Sequence, residues 1–167
     1  MSLAARDLYA PVWTELIFDE WIRNVLKNLP HLSRERLERT KALMLDNVPK
    51  AMVAGFEGWI SKLPLPDPKD RHVLAAAHHA NADLIVTHNL KDFPYAVLEQ
   101  YGIDAVSPDD FVMFLVETHP DQVLAALRKQ RSRLKNPPSS QEEFLATLES
   151  QGLSVFVKRV REQREAI

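Results

Sequence analysis

One passage constrains this chain more than any other, the run from Leu63 to Pro94, LPLPDPKDRHVLAAAHHANADLIVTHNLKDFP. Asp67 is a good helix N-cap, Pro68 suits the first helical position because its missing N–H would be unpaired there, and Asp70 then falls where a carboxylate favours the helix dipole. At the helical period Asp70 shares a side with Val73, Leu74, Ala77 and Ala80, so its carboxylate leaves the face that the apolar residues bury. The short β-branched run Leu84-Ile85-Val86-Thr87 predicts a buried strand. Polar residues follow it at once, His88, Asn89, Lys91 and Asp92, and the carboxyl ends of parallel strands are where ligands bind. A helix-borne acid and a strand-end polar cluster can therefore converge on one crevice. A simpler account stands beside this one: Asp67 and Asp70 serve only as cap and dipole partner, an effect of about 1 kcal/mol. His72, His78 and His79 lack the HExxH spacing of a zinc site, and the helix phase sends His72 and His79 to solvent, so the three are expected to be surface histidines.

The remaining chain is consistent with one globular domain. Its 167 residues are 46% hydrophobic and 26% charged, enough for a sizeable core. A net charge of −2 and a pI near 6.3 argue against strong indiscriminate nucleic-acid binding, which needs many phosphate-neutralising cations. The absence of cysteine excludes disulfides and thiolate chemistry and fits a reducing cytoplasm. No segment has the length of a membrane span and no signal-peptide core opens the chain, so a soluble cytoplasmic protein is expected.

From Val12 to about Leu29 the pattern predicts a helix with Trp13, Ile17, Trp21, Val25 and Leu29 on its apolar face. Glu20 falls at the edge of that face, where a carboxylate is costly unless it meets a cation, a donor or a metal; as a boundary residue it can also reach water. Ser33 should cap a second helix running to about Leu45, its arginines forming a solvated face. Residues 51 to 63 predict another helix, with Trp59 in the core. A short helix from Tyr95 ends at Gly102, a brief strand follows at Asp104-Ala105-Val106, and the strand–helix–strand order implies a parallel pair. Ser107-Pro108-Asp109-Asp110 opens a further helix, with both acids as helix-starting residues. The helix opened by Pro120 runs into the densest basic stretch, Arg128, Lys129, Arg131, Arg133 and Lys135. These cations suit a helix C-terminus or contact phosphates. Residues 136–139 form a linker, and two helices come after it, one opened by the capping box Ser140-Gln141-Glu142-Glu143 and one from Leu153 to about Arg164. That pair cannot hold a core alone and must dock.

The combination of Asp-Pro-x-Asp-x-His-x-Leu-Ala-Ala-Ala with Ile-Val-Thr-x-Asn-Leu-Lys-Asp-Phe-Pro resembles the second half of a PIN-domain nuclease, in particular the VapC-like toxin branch with an added helical tail. The resemblance covers most of the chain. It implies a three-layer α/β/α fold with a short parallel sheet, a PIN-like domain over residues 1–135 and a C-terminal helical extension over 136–167. It also implies a metal-dependent ribonuclease, with Mg²⁺ or Mn²⁺ held by Glu20, Asp70 and Asn89, Thr87 orienting water or the metal shell, and Asp67 and Asp92 as second choices. Arg128, Lys129, Arg131 and Arg133 would meet RNA, and the partners implied are RNA, a cognate antitoxin protein and a second copy of the chain, with no membrane.

The chain departs from the family at its start. PIN domains open with a buried strand carrying an acid in an Asp-x-Asn setting, and no such strand precedes the Trp13 helix; Asp7 lacks the apolar surroundings of one. A truncated chain, a strand supplied by a partner, and a scaffold that binds protein or RNA without cleaving it are the three accounts of this. With one carboxylate fewer, metal should bind weakly and cleavage should be feeble.

Overall fold

The computed structural model describes residues 3–4, 8–135 and 138–162. Asp7, Asn136 and Pro137 of the expected linker, and the end of the last helix past Glu162 lie outside the described residues. The helices are α1 (Glu15–Asn28), α2 (Arg34–Asn47), α3 (Glu57–Ile60), α4 (Arg71–His79), α5 (Tyr95–Leu98), α6 (Pro108–Thr118), α7 (Pro120–Arg131), α8 (Gln141–Ser150) and α9 (Ser154–Glu162). Two strands, β1 (Leu84–Val86) and β2 (Asp104–Val106), pair in a two-stranded sheet. Asp104 N–H bonds Asp83 C=O and Thr87 N–H bonds Val106 C=O, each at 3.0 Å, the slanted pattern of a parallel pair. This is the helix-rich α/β architecture with a short parallel sheet that the sequence predicts. No helix among the described residues is long and apolar enough to cross a membrane.

The chain forms two compact units, one of residues 10–85 and 89–105, the other of the described residues in 3–9, 86–88 and 106–162. In the first unit a core of Phe56, Leu63, Leu65, Leu74, Ile85, Phe93, Leu98 and Ile103 surrounds the alanine face of α4. Helix α4 begins three residues later than predicted: the Asp67 carboxylate accepts the Lys69 N–H at 2.9 Å as expected of a cap, but it opens a single 3₁₀ turn, Pro68–Asp70, and the α-helix starts only at Arg71. Strand β1 differs from expectation, since only Ile85 is buried while Leu84 and Val86 are 37% and 43% exposed. Side chains alternate across a strand, so β1 buries one face only.

The start of α1 differs too. Trp13 is extended rather than helical: its N–H bonds Ala51 C=O at 2.7 Å and its C=O accepts from Val53 at 2.9 Å, a parallel bridge to Met52. Thr14, fully buried, then caps α1 by accepting the Ile17 N–H at 3.1 Å. The buried line of α1 is Thr14, Phe18 and Ile22, one position round from the predicted face, and Leu29 is exposed. The bridge also shortens the helix expected over residues 51–63 to the single turn of α3, because residues 51–53 are extended and Gly55 follows at φ +87°. Trp59 is 38% exposed rather than in the core, with the Lys62 ammonium 5.0 Å from its ring centre.

In the second unit α6, α7, α8 and α9 share one apolar cluster built on Leu115, Val123, Leu127, Phe144, Leu145, Phe156 and Val160. Helices on both sides of residue 135 thus contribute to the same core. Asp109 is buried, and its carboxylate reaches across to α9, accepting the Val155 N–H at 2.8 Å and the Phe156 N–H at 2.9 Å. Leu153, which precedes α9, has no side-chain oxygen, so the cap comes from α6 instead. Asp110 serves its own helix, receiving the Ser107 hydroxyl at 2.6 Å.

Helix α8 opens with the predicted capping box between Ser140 and Glu143. It ends at Gly152, φ +89°, whose missing side chain leaves room for His88: a Cβ there would lie 3.1 Å from His88 Cε1. A β-branched residue at this position meets both the left-handed backbone penalty and the ring. Gly152→Val should destabilise the protein by about 2 kcal/mol or more in urea unfolding. Adding His88→Ala should recover only the steric part; complete recovery would show that the backbone carries no strain.

Candidate functional site

The acids singled out by the sequence lie in the first unit. Asp70 closes the 3₁₀ turn before α4 and is half-buried; Glu20 leaves α1, with its side chain 44% exposed. Partial burial, then the negative charges of Asp67, Asp92 and Glu20, hold the Asp70 carboxyl above the usual aspartate range, while His72 opposes them. Four carboxylates therefore share one electrostatic neighbourhood, the arrangement a hard divalent cation relieves.

Asn89 and Asp92 knit the turn after β1. The Asn89 amide donates to the Asp92 carboxylate, and the Asp92 N–H returns to Asn89 C=O at 3.2 Å. Asp92 thus caps the turn after the strand, and its charge still reaches Asp70. Thr87 follows β1 in the second unit, half-buried, with its N–H bonded to Val106.

His72 corrects the sequence reading. Instead of facing solvent, its side chain is 12% exposed and its Nε2 lies 3.5 Å from Glu20 Oε2. Nδ1 is 2.6 Å from Lys69 C=O. A carbonyl only accepts, so Nδ1 carries the proton. The signal missed was the 3₁₀ turn at residues 68–70, which advances each residue by about 20° more than an α-helix and so slips the phase of α4. His78 is not free on the surface either: it packs edge-on between Trp59 and Tyr101, at 4.7 and 5.2 Å. His79 is exposed, as expected.

Among the described residues no three His, Asp or Glu side chains already enclose a cation-sized space. What the residues share is charge rather than a cage: the Asp67, Asp92 and Glu20 carboxylates act on Asp70 through space, and the His72 Nε2 lies 3.5 Å from Glu20 Oε2.

The basic stretch is divided in use. Arg131 is half-buried and donates to Ser139 C=O at 3.2 Å, closing the connection to α8, while Arg128, Lys129 and Arg133 are exposed. If the exposed cations meet phosphates, Lys129→Ala with Arg133→Ala should weaken RNA binding about equally for all sequences and lower the salt slope by about 2. Arg131→Ala should instead lower thermal stability. An unchanged slope in the double variant would assign these cations to solvent.

Comparison with known proteins finds matches in both halves of the chain. Residues 1–91 match the family described as "PIN domain", and residues 108–162 match the "VapC50 C-terminal domain". A protein of Mycobacterium tuberculosis H37Rv named "Putative ribonuclease VapC50" is 39% identical over 83 residues, 50% of this chain and 49% of that protein. The match thus spans about half the length of that curated relative. No solved structure matches.

Proposed function

This chain belongs to the PIN-domain family, and from that premise we propose that it is a metal-dependent ribonuclease, the toxin of a toxin–antitoxin pair. The observation that carries the proposal is the gathering of Asp67, Asp92 and Glu20 about Asp70, whose carboxyl is held above the usual range by partial burial and then by their charges. The relative named as a ribonuclease supports the substrate class.

A bound Mg²⁺ or Mn²⁺ would lower the pKa of a coordinated water and offset charge developing on the scissile phosphate. Glu20 and Asp70 would supply the oxygens that hold it. Asn89 is held by Asp92 at the end of β1, where its amide can orient water, and Thr87 stands two residues before it. Lys129 and Arg133 would contact the RNA backbone, and an antitoxin protein and a second copy of the chain are the proposed protein partners.

A second function, a scaffold that binds protein or RNA without cleaving it, draws on the lack of a ready-made three-ligand cage among the described residues. RNA cleavage in millimolar Mn²⁺ or Mg²⁺, with and without EDTA, separates the two. EDTA-sensitive cleavage, feeble in rate, is expected; RNA binding with no cleavage at any metal concentration supports the scaffold.

A further inference from the structure

We propose that Trp59 is a stacking platform for one unpaired base of an RNA strand, with Lys62 beside it to meet the adjoining phosphate. This rests on the ribonuclease function proposed above and deepens it, adding a substrate contact away from the acids.

Trp59 stands on the single turn of α3, 38% exposed. Leaving that much indole in water forfeits burial that a tryptophan normally gains. The ring is nevertheless held in place: the His78 ring from α4 packs on it at 4.7 Å and 87°, and Tyr101, ahead of β2, packs in turn on His78 at 5.2 Å. A ring braced in advance loses little freedom when a ligand meets it. Gly58, the residue before it, is not at positive φ, and a Cβ there would meet nothing within 4 Å. Neither backbone nor packing calls for a glycine that costs a helical turn about 1 kcal/mol. The space over this turn is open.

The Lys62 ammonium lies 5.0 Å from the ring centre. An exposed indole with a cation at hand suits a nucleotide, whose base stacks while its phosphate takes the ammonium. The Lys62 stem is flexible and exposed, so its head can pass from ring to phosphate without breaking a buried contact. A protein partner fits less well. A stable interface needs about 800 Å² a side, and the chain neighbours Glu57, Gly58, Ser61 and Lys62 are all exposed and polar or small. Asp70 precedes α4 and His78 stands eight residues on, about 12 Å along the axis. A strand of several nucleotides can span that distance.

The test measures affinity of the whole chain, in EDTA to prevent cleavage, for a short oligoadenylate RNA and for an abasic strand of equal length. Trp59→Ala should weaken oligoadenylate binding about 5- to 100-fold with the salt slope unchanged, and should leave the abasic strand unaffected. Trp59→Phe should restore most of the affinity, and Lys62→Ala should lower the salt slope by about 1. Unchanged oligoadenylate affinity in Trp59→Ala, or equal weakening of both strands, would overturn the base site. So would altered self-association at unchanged RNA affinity, which would assign the ring to a protein interface. EDTA-sensitive cleavage lost in Asp70→Asn keeps the ribonuclease function standing when the base site fails; base-dependent binding through Trp59 without cleavage in any metal supports the base site on a scaffold.

Discussion

Asp109→Ala will lower the unfolding free energy of the second unit by about 3 kcal/mol, because it leaves two backbone donors at the start of α9, that of Phe156 buried and that of Val155 partly so, without an acceptor. The wild-type carboxylate accepts from Val155 at 2.8 Å and Phe156 at 2.9 Å, and its charge also meets the positive end of the α9 dipole. For a unit of this size that loss corresponds to roughly 10–20 °C in melting temperature. Asp109→Asn keeps one acceptor oxygen and should cost about half as much. Circular dichroism melts of the three proteins check this. A change under about 3 °C in the alanine variant would show that the α6 to α9 link contributes little.

Asp70→Asn will have opposite effects on stability and on metal. The Asp70 carboxyl is held above the usual aspartate range by partial burial and by Asp67, Asp92 and Glu20. The folded state thus holds this proton to a higher pH than the unfolded chain does. The resulting penalty is absent below the unfolded aspartate pKa and fully present above the raised folded value, so this group makes the metal-free fold less stable as pH rises through that window. Asn carries no charge and escapes the penalty. The metal-free variant should therefore melt higher than wild type at pH 7, with the difference closing as pH falls through the aspartate range.

With Mn²⁺ the order reverses. An ion at a hundred times its Kd adds about 2.7 kcal/mol to the wild-type fold, and Asp70→Asn should lose that increment. It should also lose EDTA-sensitive RNA cleavage by at least about 100-fold, since metal stabilisation of phosphate charge amounts to several kcal/mol. Melting with and without MnCl₂, beside cleavage assays, measures both. A variant that still gains stability from Mn²⁺ would place the ion elsewhere.

What was legible in the sequence was local. Ser33, Ser107 and Ser140 mark helix starts because a side-chain oxygen two or three residues ahead of an N–H needs no distant partner. The parallel strand pair came from element order, and the acid at Asp70 from helical phase. What could not be read depends on residues far apart in sequence. Trp13 has a helical neighbourhood yet pairs with Met52, and that one contact moves the start of α1 and removes most of the helix expected after residue 50. Asp109 has the spacing of an ordinary first-turn acid, and only the docking of α9 gives it another partner. His72 was misplaced by a single 3₁₀ turn, a geometry that the residue types Pro-Lys-Asp do not distinguish from an α-helical start.

The Trp13–Met52 bridge has a kinetic consequence. It brings together the ends of a 38-residue excursion, residues 14–51, containing α1 and α2. Closing a loop of that length costs about 3 kcal/mol in chain entropy, offset by packing of α1 on α2 and by Lys41, which pairs with Glu15 and lies 5.2 Å from the Phe18 ring centre. Glu20 rides on this excursion, whereas Asp70 and His72 belong to a local turn. During refolding the α4 side of the site can assemble early and wait for its α1 partner, so that recovery of ion affinity should trail recovery of helical signal. The connection between α1 and α2 is meanwhile free to change length over evolutionary time, since the bridge keeps both ends of the excursion fixed.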